Sequence, residues 1–203
     1  MSVSLYDKAL LDKLKNWVKD SSIKITGPEE TRRLFEYTAD QNNDKPITLP
    51  LITLRKSPTV TINSIQKQPL TYDGYRKNNN GIKGDQLNGI PITINYQIDI
   101  YTRYAEEAEE YVRNFIFNII NYPKVKIEIP YNNSRIIHDS NIRLSGEVND
   151  NSDISERLVP GQFTRKTIPI YIDDAYLFDY RTKDTLKVDT TTEVVLKNSI
   201  DDK

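Results

Sequence analysis

The chain has 203 residues, enough for one substantial core, with 37% apolar and 28% charged side chains. Its 28 Lys and Arg nearly cancel 29 Asp and Glu, and the net charge of −1 is spread along the chain, which argues against nucleic acid or an anionic membrane as partner. The absence of cysteine excludes disulfides, thiolate metal sites and cysteine nucleophiles.

Residues 1–8 lack the basic stretch and apolar run of a signal peptide, and no window has the length of an apolar membrane span, so a soluble, non-exported protein is expected. Ser4 followed by Asp7 resembles a capping box, and Leu5, Ala9, Leu10, Leu14, Trp17 and Val18 recur at three- and four-residue spacing. This predicts an amphipathic helix as far as Asp20. Residues 23–26 read as a short strand, and Gly27-Pro28-Glu29-Glu30 as a turn into a second helix with Leu34, Phe35 and Thr38 on its apolar side. Asn42-Asn43-Asp44-Lys45-Pro46 breaks that segment. Residues 47–55 then alternate as a strand does, with Pro50 marking an edge or a strand start.

From residue 56 to residue 89, Pro58, Pro69, Gly74, Gly81, Gly84 and Gly89 accompany the polar run Lys77-Asn78-Asn79-Asn80. The expectation is a long loop excursion with one short strand at 59–62. Next, Ile90, Ile92, Ile94, Tyr96, Ile98 and Ile100 alternate strictly with smaller or polar residues, predicting a strand with one apolar face. The period then switches. Between Tyr104 and Tyr122, Ala105, Ala108, Val112, Phe115, Ile116 and Ile119 share one helical face, while Glu106, Glu107, Glu109 and Glu110 complement the positive helix end. Pro123 closes the helix, and Val125, Ile127 and Ile129 mark a return strand, completing a strand-helix-strand unit at about residues 91–129.

Residues 136–138, 142–148 and 163–172 are further strand candidates, separated by Asn149-Asp150-Asn151-Ser152-Asp153. The whole predicts one α+β domain over residues 1–180, with a mixed, mainly antiparallel sheet, helices packed on one face and a loop insertion at about 56–89. Residues 181–203 read as a C-terminal arm or flexible tail.

Catalytic chemistry finds few handholds. His138 is the only histidine and lies in a strand-like stretch, where a hydrogen-bonded structural role is expected. No Gly-x-Ser-x-Gly elbow occurs. Asp173-Asp174 and the glutamates of the central helix are carboxylate pairs by adjacency only, which does not create converging acid-base geometry. Asp150-Asn151-Ser152-Asp153 with Glu156 lacks the glycine and spacing of a calcium loop, and Gly81-Ile82-Lys83-Gly84 lacks the Lys-Ser/Thr of a phosphate loop. Tyr72, Tyr75, Arg76 and Lys77 are too few for a nucleic-acid groove. No enzyme is expected, and no catalytic, cofactor-binding or metal-binding residue is assigned. The alternative from that class is a hydrolase or metal-dependent enzyme built on His138, Asp139 and Asp173.

Phe117 is the odd residue of the central helix. It falls about half a turn from the face of Ala108, Val112 and Ile119, on the side of Glu106, Glu110, Arg113 and Asn121. An aromatic ringed by charges is either an interface contact or a site covered by the protein's own first helix or long loop. Thirteen tyrosines against five phenylalanines lean toward wet, adaptable contacts.

The stretch Pro91-Ile92-Thr93-Ile94-Asn95-Tyr96-Gln97-Ile98-Asp99-Ile100-Tyr101-Thr102, followed by an acidic helix to Asn121-Tyr122-Pro123, resembles the tail-completion proteins of bacteriophages. In that group a strand of the form Tyr-x-Ile-Asp-Ile-Tyr leads directly into a helix, and Leu49-Pro50-Leu51-Ile52-Thr53-Leu54-Arg55 resembles its neighbouring earlier strand. The resemblance implies a virion structural protein, a subunit of a tail terminator or neck ring that caps the tail tube and meets the head connector. Its implied partners are itself, in a hexameric ring, and other tail or neck proteins. The implied location is the virion, with the host cytoplasm as the place of assembly. A baseplate or tail-tube component is the alternative station. Tyr101, Arg113 and Phe117 are the residues expected at lateral contacts, with residues 71–88 and 182–198 as reaching extensions.

Overall fold

A computed structural model describes residues 3–18, 20, 22–39, 48–62, 70–78, 81–131, 134–152 and 163–178. Helix α1 (Val3–Trp17) buries Tyr6, Leu10 and Leu14, whose four-residue spacing places them on one face. The short strand β1 (Lys24–Thr26) leads into α2 (Pro28–Ala39), with Pro28 in the first helical position and Glu29 and Glu30 in the first turn. Gly27 joins them. Its carbonyl accepts the Thr31 N–H at 2.8 Å, and a Cβ there would come within 3.0 Å of Leu11, so the glycine lets α1 and the start of α2 approach.

Seven further strands and one helix follow: β2 (Leu51–Ile62), β3 (Leu70–Asn78), β4 (Gly81–Thr102), α3 (Ala105–Asn121), β5 (Lys124–Tyr131), β6 (Ser134–Leu144), and then β7 (Asn149–Asp150) and β8 (Thr164–Phe178). All eight strands belong to one sheet. Among the described residues only the β1–β2 pairing is parallel. The fold is thus α+β, with a mixed and mostly antiparallel sheet, as the alternation and turn signals predict. Strand β4 is its axis, pairing with β2 along one edge and with β3 and then β8 along the other. No helix among the described residues is long and apolar enough to cross a membrane.

The period-two pattern of β4 decides where the core sits. Ile92, Ile94, Tyr96, Ile98 and Ile100 face the same way as Ile168, Ile170 and Ile172 of β8, and α1 and α3 cover that face with Tyr6, Leu10, Leu14, Phe115 and Ile119. Trp17 meets Phe115 edge-on at 6.4 Å, locking the two helices together. The intervening residues of β4, Asp99 and Tyr101 among them, point to the opposite side of the sheet.

The sequence-based expectation requires correction at residues 56–89. Instead of a loop excursion, β2 continues to Ile62 with an irregularity between Lys56 and Val60, and β3 forms a hairpin with the first half of β4, from Leu70 opposite Gly89 to Asn78 opposite Gly81. Glycine and asparagine weaken a strand only by propensity, and a ladder of backbone hydrogen bonds outweighs that when a partner strand lies alongside. Elsewhere the differences are smaller. Pro50 immediately precedes β2, marking a strand start, and the candidates at 136–138 and 142–148 merge into β6. The strand beginning near Phe163 runs on to Phe178. The return strand β5 pairs with β6, so the two strands of the central unit are not neighbours. The expected arm at 181–203 lies outside the described residues.

Candidate interaction surface

Helix α3 begins directly after β4, where Thr102 donates its hydroxyl hydrogen to the Tyr104 carbonyl at 2.7 Å, and it ends where Pro123 forbids continuation. Ala108, Phe115 and Ile119 anchor it to the sheet. That register turns Arg113 and Phe117 outward, and Phe117 is 62% exposed. Ile120, one turn on, is equally bare, and the two form an apolar ridge at the C-terminal half of the helix, with Tyr122 exposed just past its end. Among the described residues neither the first helix nor a loop covers Phe117, which favours a contact surface over internal coverage.

Two hollows flank this ridge. One, of about 310 Å³, has an apolar wall of Val112, Ile116, Phe117 and Val148, with Arg113 and Lys166 at its rim. The other, of about 540 Å³, lies toward the end of α1 between Val18, Asp20, Tyr111, Asn114 and Phe117. Arg113 and Phe117 line both. Lys166 is held in the first hollow by Asp150 at 2.8 Å, and that bond, with those from Ser152, holds the Asp150 carboxyl down at about 2. Sequence reasoning did not single out Ile120 or Val148. Ile120 directly follows the buried Ile119, and the step of about 100° around the helix carries it out of the sheet-facing stripe.

Tyr101 does not join Arg113 and Phe117. Expected at a lateral contact, it is instead 2% exposed and lies on the sheet face away from α3. Its hydroxyl accepts from Arg55 Nη2 at 2.9 Å, its ring meets Phe163 at 6.2 Å, and the Arg165 guanidinium lies 5.5 Å from the ring centre. Burial, and then the neighbouring Asp99 charge, push its pKa up. The two arginines reach it from β2 and β8, strands remote in sequence, which is why alternation in β4 alone did not reveal the burial.

The residues considered for catalysis are dispersed. His138 is 2% exposed, boxed by the rings of Tyr6, Tyr176 and Phe178. Its Nε2 lies 2.7 Å from Ser140 Oγ and 3.0 Å from the Asp174 carbonyl. A carbonyl only accepts, so the ring is satisfied in the tautomer whose Nε2–H donates to it, with the Ser140 hydroxyl alongside. Burial holds the His138 pKa below its ordinary value, against the opposing Asp174 bond. Asp139 is exposed on the other side of β6, Asp173 pairs with Arg143 at 3.1 Å, and the Asp174 carboxylate binds the Asn141 N–H and side-chain amide. Among the described residues no three His, Asp or Glu side chains converge as metal ligands. Glu156 lies outside those residues. In comparisons with protein-family models and with curated proteins, the chain matches none.

Proposed function

We propose that the chain is a virion structural protein of a bacteriophage tail, acting as a subunit of the tail terminator or neck ring that joins the tail tube to the head connector. The observation that carries this reading is the bare ridge of Phe117 and Ile120 on α3, flanked by hollows, an arrangement suited to burial against protein. The passage of the Tyr96–Tyr101 segment of β4 straight into a helix that covers the sheet agrees with the pattern of the tail-completion proteins. The β3–β4 hairpin adds reach: β2 pairs with β4 only as far as Ile92, and the hairpin continues past that point. In this role the protein has no catalytic duty, and its work is shape and adhesion between copies and toward other tail or neck proteins.

Electron microscopy of the purified protein, alone and mixed with isolated tail tubes, tests the reading. The expected result is a ring that seats at the head-proximal tube end. Binding at the distal end would reassign the protein to the baseplate, and a monomer that ignores the tubes would overturn the proposal.

A further inference from the structure

We infer that copies of this chain join head to tail, the acidic outward face of α3 of one copy seating in the basic groove between α1 and β5 of the next. This rests on the ring reading above and gives that ring its contact.

The groove, of about 750 Å³, runs along α1 from Leu5 to Asn16 and is closed on its far side by β5. Its floor includes Leu5, Ala9, Val125 and Pro130, and its walls carry five basic side chains against two acidic ones. Glu128 pairs with Arg135 at 2.5 Å, which leaves four lysines against Asp12, and Lys13 is anchored by its bond to the Lys124 carbonyl at 2.6 Å. A strand is a poor occupant. β5 pairs only with β6 among the described residues, but its outward residues are Lys124, Lys126, Glu128 and Pro130, the charges and proline that discourage strand addition. Recognition by side-chain charge favours a helix face instead.

The chain carries such a face. Glu106, Glu109 and Glu110 are exposed on the first turns of α3, the exposed Arg113 follows them as the one basic residue of that stretch, for which Asp12 is the acid of the groove wall, and Phe117 and Ile120 lie further along. From Glu106 to Phe117 is eleven residues, about 16 Å of helix, and the groove from Leu5 to Asn16 has the same run of about 16 Å. Charges thus meet charges while the aromatic end reaches the apolar floor. A single copy cannot do this to itself, because its own α3 is held at the C-terminal end of α1, through Asn114 Nδ2 to the Trp17 carbonyl at 3.2 Å and through Trp17 on Phe115. Two different patches meeting in this way form a heterologous contact, which propagates and closes into a ring when the rotation permits. The near-zero net charge of the chain conceals this division.

Charge exchange tests it. One variant carries Glu106→Lys and Glu110→Lys, the other Lys8→Glu and Lys126→Glu. By sedimentation equilibrium at about 0.05 M salt, each alone is expected to associate at least about tenfold more weakly than the unaltered chain. Their equimolar mixture, and a chain carrying all four changes, should recover association. Loss of acids from the start of α3 through helix weakening alone gives no recovery on mixing, so that outcome overturns the inference. If circular dichroism finds a reversal variant unfolded, the glutamine replacements at the same positions take its place, with a smaller loss of the same sign. Rings that persist in both reversal variants would overturn this contact and leave the ring reading standing. An unaltered chain that stays monomeric at every concentration would remove both, and a dimer as the largest species would remove the head-to-tail form.

Discussion

Asp99 and Arg165, 66 residues apart in the chain, meet on the sheet face opposite the helices, with Arg165 Nη2 3.1 Å and Nε 3.3 Å from Asp99 Oδ1. The carboxylate is fully buried. Arg55 Nε approaches its other oxygen at 2.7 Å from β2, while Thr167 and Gln97 donate at 2.6 and 2.7 Å. Strands β2, β4 and β8 are therefore pinned together by one charge on the side where no isoleucine cluster holds them.

Replacing Asp99 by asparagine keeps its shape but leaves two guanidinium groups without their counter-ion. Arg165 is almost buried and suffers most, while Arg55 retains access to water. A loss of about 3 kcal/mol is expected from urea unfolding. A loss below about 1 kcal/mol would mean that the carboxylate is not the pin described.

Thr53 stands directly across from Asp99 on β2, with its hydroxyl buried and without a hydrogen-bond partner among the described residues. Thr53→Val removes that orphaned group at similar volume. Stability should rise by about 1 kcal/mol, and a fall of that size would show that the hydroxyl is engaged.

Phe115 and Phe117 sit two positions apart on α3 yet differ completely in surroundings. Phe115→Ala opens a cavity against the sheet and should cost about 3–5 kcal/mol. Phe117→Ala should change monomer stability by no more than about 0.5 kcal/mol while weakening self-association measured by light scattering. Equal destabilisation by the two changes would place Phe117 in the core and remove it from the contact surface.

His138 makes acid stability specific. Its folded form favours the neutral ring, so the unfolded chain takes up the proton more readily as pH falls. The associated stability is complete above the ordinary histidine value of about 6.5 and declines as pH drops through it toward the lower folded value. Asp174 beside the ring on β8, and the charge of Asp139 on the other side of β6, temper the effect without reversing it. Thermal unfolding in steps between about pH 8 and pH 5.5 should show the decline. His138→Gln should be less stable at the upper end and flatter across the range. An unchanged slope in that variant would assign the decline to other groups.

Much of the fold was legible because two periods are local properties of the chain. Alternation from Ile90 to Ile100 and the helical spacing from Ala108 to Ile119 each follow from backbone geometry alone, and the same spacing placed Phe117 outward. The β3–β4 hairpin was not legible, since Gly74, Gly81 and Gly84 read as breakers until a partner strand is known to lie beside them. Tyr101 failed for a related reason. Its parity on β4 was correct, but the arginines that bury it arrive from residues 55 and 165.

By itself, then, the sequence determined which residues alternate, which turn with a helix, and that the charges balance. Only the tertiary structure decided what those charges do. It folded Asp99 inward beneath Arg55 and Arg165, and it brought α1 beside β5 so that lysines more than a hundred positions apart line one groove. Periodicity is set by neighbours along the chain, whereas burial and electrostatic grouping are set by neighbours in space.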